Sequence, residues 1–101
     1  MAGKVHYGQV MEFKPDIPRW RQVAAVIRSR IEDGTYPPRG RVPSVQQIVE
    51  EFGIATATAA KVNVGLRKEG LVYTEPGLGS FVSPDAADIL KNARAEAEDT
   101  A

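Results

Sequence analysis

The sequence predicts a small α+β domain: three helices, a β-hairpin, and a short extra C-terminal helix. Three observations predict it. Apolar residues recur at helical spacing in three successive segments, each ended by a glycine. Two short runs rich in β-branched and aromatic residues then flank a Pro/Gly turn. The 101 residues, 43% apolar and 26% charged, are about enough to enclose a single core.

Residues 1–18 carry no helical period. Val10, Met11, Glu12, Phe13 and Lys14 can form a short strand, which Pro15 and Pro18 stop. From there Trp20, Val23, Ala24, Ile27 and Ile31 fall at i, i+3, i+4, i+7 and i+11, one face of an amphipathic helix ringed by Arg19, Arg21, Arg28 and Arg30. Asp33-Gly34 ends that helix, because glycine adopts the left-handed cap conformation cheaply. Tyr36-Pro37-Pro38-Arg39-Gly40 is a rigid connector, and Arg41-Val42 can add one residue pair to a sheet.

Ser44 opens the second helix with a capping box: its hydroxyl accepts from the amide of Gln47, whose side chain reaches back. Ile48, Val49 and Phe52 form its buried stripe, and Gly53 makes the sharp turn that follows. The third helix is expected over residues 56–69, with Ala59, Val62 and Leu66 inward, until Gly70 stops it. Residues 71–74 and 80–82 are the expected strands, around Glu75-Pro76-Gly77-Leu78-Gly79. Ser83 and Pro84 then suit the cap and first position of a last helix, reaching about Ala95 with a thin apolar face of Ala86, Ile89, Leu90 and Ala93. That face packs on a partner or frays, and the residues beyond it are expected to be mobile. The chain divides into an extension (1–18), a core domain (19–83) and an acidic helical tail (84–101), partly disordered.

Helix, tight turn, helix and hairpin in this order are the parts of a winged helix-turn-helix, which offers one helix and one loop to the grooves of DNA. The charge permits this. Net charge is zero overall, but residues after Ser83 carry two basic side chains against five acidic ones, leaving a body of +3 and a tail of −3.

The residues also resemble the GntR family of bacterial transcription regulators. The resemblance rests on Y-P-P-x-G-x-V-P-S, E-E-F-G-I, L-R-K-E-G-L-V and P-G-x-G-S-F-V at matching spacing over residues 19–82, and is strongest to small actinobacterial members. It implies a dimer on an operator of two-fold symmetry. It also implies DNA contacts from Ser44 and Gln46, from Thr56, Ala57, Thr58, Ala60 and Lys61, and from Gly77, Leu78 and Gly79 in the wing. At Gln46, Thr56 and Leu78 the family often has arginine, and Ala60 lacks another basic charge, so the guanine fork of arginine is missing there. Arg19, Arg21 and Arg41 are weaker candidates, for phosphate contacts. Family members carry a further effector or dimerising domain. The 19 residues after Val82 are too few for an effector pocket, so no small-molecule ligand is expected.

Other chemistry has little support. There is no cysteine, so no thiolate metal site or disulfide framework exists. His6 has no acid-base partner in the sequence, and Gly77-Leu78-Gly79 joins two strands and opens no helix, unlike a nucleotide loop. No enzyme, cofactor, metal or membrane association is expected, and the location expected is cytoplasmic, on the nucleoid when DNA is bound. Asn63 is left with two readings, a buried polar residue needing a partner or a residue facing DNA. The expected function is a sequence-specific transcriptional regulator, a repressor on a palindromic operator, acting as a weak homodimer or a dimer formed on DNA. The alternative is a winged-helix module that shows Ala57, Ala60 and Val64 to a protein partner.

Overall fold

The computed structural model describes residues 12–99. Its elements run α1 (Arg19–Glu32), α2 (Val45–Phe52), α3 (Thr56–Lys68), β1 (Val72–Glu75), β2 (Gly79–Val82) and α4 (Ala86–Asp99). This is the winged helix-turn-helix expected, with the fourth helix laid against the first. No helix among the described residues is long and apolar enough to cross a membrane.

Pro18 precedes α1, where its missing N–H costs nothing, and no side chain caps the helix. Gln22 does the anchoring: its amide donates to the carbonyls of Lys14 (3.1 Å) and Ile17 (2.8 Å) and accepts from the Lys14 N–H (3.0 Å). This corrects the expected strand. Residues 12–14 are not in a strand, because one side chain satisfies both backbone groups of Lys14, while Val10 and Met11 lie outside the described residues. The inward stripe of α1 is Val23, Ala24, Ile27 and Ile31, with Trp20 half-buried.

The capping box of α2 is formed as expected, Gln47 N to Ser44 Oγ at 3.2 Å and Ser44 N to Gln47 Oε1 at 2.9 Å. Gly53 closes the helix at φ 68°, ψ 38°, a left-handed position in which a Cβ would be strained. The turn delivers α3, whose Ala59, Val62 and Leu66 are wholly buried against α1 and α2. Gly65 permits that contact: a Cβ there would lie 2.8 Å from the Trp20 ring. Gly65→Ala should therefore lower the melting temperature, although alanine favours helix by about 1 kcal/mol, because overpacking costs about 1–3 kcal/mol. A thermal melt showing Gly65→Ala at or above the wild type would contradict this contact.

The hairpin pairs Val72 with Val82 and Glu75 with Gly79 in antiparallel register. Pro76 and Gly77 (φ 79°) hold the turn, and Leu78 N donates to Glu75 O at 2.9 Å, as in a type II turn. The connector before α2 joins this sheet: Arg41 bridges Phe81, Val42 N donates to Ser80 O, and Val82 N donates to Gly40 O. The single residue pair expected at Arg41-Val42 is thus present, and it fixes the wing to the body.

The start of α4 differs from expectation. Pro84 and Asp85 form a turn, with Ala86 N bonded to Ser83 O, and the helix begins at Ala86. Ser83 is held on the hairpin, its N–H on Leu71 O at 2.8 Å, and it stands two residues before the cap position, since the first i→i+4 bond of the helix runs from Ile89 N to Asp85 O. The helix runs to Asp99, past the expected end at Ala95. Ala86 and Leu90 are buried, Ile89 is half-buried beside Gly70, and Arg94 pairs with Glu32 on α1. Its apolar face thus packs within the domain.

Ion pairs tie the helices together. Arg28 forks onto Glu69 (3.0 and 2.6 Å), linking α1 to the end of α3. Arg30 bonds Glu51 at 2.5 Å and Tyr36 Oη at 2.8 Å, and lies over the Phe52 ring. The hydrogen bond to Glu51 holds the Arg30 guanidinium above its usual range, but the pair is about a third exposed and stabilises by at most about 1 kcal/mol.

Candidate nucleic-acid interface

The outer face of α3 is set by what the inner face buries. With Ala59, Val62, Asn63 and Leu66 inward, the exposed ridge is Ala57, Lys61, Val64 and Lys68, at i, i+4, i+7 and i+11. Arg67 lies beside it, and α3 contains no acidic residue. Val64 is 40% exposed and Leu78, at the tip of the wing, is 61% exposed, so both ends of this face present apolar surface between the cations.

Between α2, α3 and the wing lies a groove of about 650 Å³. Arg41, Ser44, Gln46, Ala60 and Gly79 of the sequence-predicted residues come together on its walls. Thr56 and Gln46 border a neighbouring depression against α2. Ala57 and Lys61 stand on the ridge, and Gly77 and Leu78 on the wing tip, outside the groove; Arg19 and Arg21 do not line it either. Thr58 is half-buried where full exposure was expected, because it precedes Val62 by one helical turn and continues the inward row.

The three arginines proposed for phosphates have intramolecular partners. Arg19 lies over Phe13 (5.0 Å to the ring centre) and Arg21 over Trp20 (5.8 Å). Arg41 is a strut for the wing: Nη1 donates to Leu78 O at 2.6 Å and the guanidinium covers Phe81. Gly79 allows this approach, since a Cβ would meet Nη1 at 2.9 Å. Arg67, which also lines the groove, was not among the candidates drawn from the sequence. Continuing the period from Ala60 through Asn63 would have found it.

Residues 20–82 match the family model "Bacterial regulatory proteins, gntR family". The chain belongs to the GntR family. Among its relatives in that family, the histidine utilization repressor of Pseudomonas putida is 33% identical over 66 residues, covering 65% of this chain and 27% of that protein. The transcriptional repressor NagR of Bacillus subtilis is 32% identical over 84 residues, 82% of this chain and 35% of its own length. The chain therefore spans about a third of these curated GntR-type relatives. Among solved structures, AraR(DBD) in complex with operator ORX1 superposes with TM-score 0.71 at 29% identity, covering 78% of this chain and all of that one. A GntR family regulator from Listeria monocytogenes shares the fold, with TM-score 0.77 at 22% identity, covering 87% of this chain and 79% of its own.

Proposed function

We propose that this chain is a sequence-specific transcriptional regulator that binds double-stranded operator DNA, with α3 in the major groove and the wing at the adjacent minor groove. The observation that carries this reading is the acid-free outer ridge of α3, bearing Lys61 and Lys68, held beside a braced wing. Gln46 suits adenine, and Thr56 and Ala57 suit thymine methyls, so the target differs from those read by arginine-rich relatives. The Ser44 amide is taken by Gln47, so Val45 and Gln46 offer the first amides of α2 to a phosphate, with the Gln46 side chain beside them. We infer repression by occlusion of a promoter, with two chains on a palindromic site in the cytoplasm, because its relatives include named repressors.

Gel shift with fragments of the source genome tests this. A retarded complex holding two chains per site is expected, weakening steeply with salt. Each lost phosphate contact changes the log–log slope by about 0.9, so Lys61→Ala should flatten it by about one contact. Binding that ignores salt would contradict the assignment. The exposed Val64, Ala57 and Leu78 favour one alternative, a module docking on protein; no retarded fragment at low salt would support it.

A further inference from the structure

Asn63 is the one residue among those described with a buried side-chain oxygen, Oδ1, that has no hydrogen-bond partner. The residue is 7% exposed, and its neighbours on the inner face of α3, Ala59, Val62 and Leu66, are aliphatic and wholly buried. An unmatched buried amide oxygen lowers stability, a cost that leucine at the same position would not incur. A polar residue breaking an apolar stripe without compensation inside the protein fits a position with a role outside it.

The surroundings say what that role is. Asn63 borders the groove between α2, α3 and the wing, one helical turn before Arg67. Arg67 and Arg41 put positive charge on the walls, Glu50 is the single acidic residue lining it, and Thr74 and Ser80 face it from the wing with their hydroxyls 3.1 Å apart. A helix in a major groove and a wing in the next minor groove are separated by one sugar-phosphate strand, which has to pass between them. Here the space between them is this groove.

We propose that the groove seats one phosphodiester strand of the target DNA, gripped from α3 by the Asn63 amide and the Arg67 guanidinium. This rests on the DNA-binding reading above. With Oδ1 turned inward, the Asn63 amide nitrogen is the donor left for a phosphate oxygen, and Arg67 supplies the charge. Asn63 is thus a positioning residue for the backbone, indifferent to base sequence, whose unmatched oxygen costs the fold while its amide nitrogen serves the DNA.

The test uses the full chain with Asn63→Leu and Arg67→Ala. Thermal melts are paired with anisotropy titrations of a fluorescein-labelled retarded fragment and of an unrelated duplex, at several salt concentrations. Asn63→Leu should melt roughly 5 °C higher. It should bind both duplexes about 3- to 10-fold more weakly, with their ratio and the salt slope unchanged. Arg67→Ala, at an exposed position where folding is not at issue, should reduce the slope by about one contact on both duplexes. Wild-type affinity in Asn63→Leu, a loss confined to the selected fragment, a lower melting temperature, or an unchanged slope in Arg67→Ala would each overturn the proposal. Failure of the wild type to bind any duplex at low salt would instead remove the DNA reading on which it stands.

Discussion

Ala57→Glu should lose at least about 100-fold in DNA affinity while melting no lower than the wild type. Ala57 is the second residue of α3, exposed, and outside the core. A carboxylate there enters a first turn that has no acid, and the helix dipole favours it by about 0.3–1 kcal/mol. Toward DNA the same carboxylate would repel phosphates, and at i, i+4 it would also pair with Lys61 and draw that cation away from them. Like charges brought together at an interface cost several kcal/mol, and about 2.7 kcal/mol is already 100-fold. Ala57→Gln, of similar size and uncharged, should lose far less. Titration of both variants against the retarded fragment separates charge from bulk. A loss under about 3-fold in Ala57→Glu would take the start of α3 out of the interface. The opposite signs expected for fold and binding make this a test of the site alone.

Leu66→Ala should do the reverse, costing about 2–5 kcal/mol of stability by opening a cavity where α3 meets α1. Leu66 has no exposed surface, its carbonyl receives the N–H of Leu71, and it belongs to the same core as Ile27 and Val82. Small domains hold roughly 5–15 kcal/mol in total, and one of this size sits toward the lower end. The loss would therefore remove a large share of the whole. Urea unfolding should show the midpoint falling with the slope unchanged, and the folded fraction at low temperature should still bind DNA. A shift under about 1 kcal/mol would mean that the α1–α3 contact is not the centre of the core.

Much of the fold was legible because its signals are local. The Ser44–Gln47 capping box, the turn at Gly53 and the Pro76-Gly77 turn each depend on a few neighbouring residues whose own chemistry selects the backbone. The helical stripes were legible for a related reason, since 3.6-residue periodicity is written directly in the order of apolar side chains. The misses lie where distant residues decide. Lys14 stays out of a strand because Gln22, eight residues on, takes its backbone groups. Ser83 continues the hairpin, its N–H on Leu71 O, and α4 starts two residues later than its Ser-Pro signal. Thr58 fell on the boundary between inner and outer faces, which periodicity alone places poorly.

The candidate site divides the same way. The ridge residues Ala57 and Lys61 and the wing tip at Leu78 were readable from pattern and resemblance, and all three stand exposed. The role of Arg41 was not, since its hydrogen bond reaches Leu78, 37 positions away. By itself, then, the sequence determined the order of the elements, the Ser44 cap, the turns at Gly53 and Gly77, the main inward stripes of the helices and the family. Those follow from short-range backbone chemistry and from hydrophobic periodicity. Only the tertiary structure decided that Arg41 braces the wing, that Gly65 makes room for Trp20, and that Asn63 lies buried at a basic groove with its oxygen unmatched. Burial and hydrogen-bond satisfaction depend on what a side chain meets from other elements, and that is known only once those elements are packed.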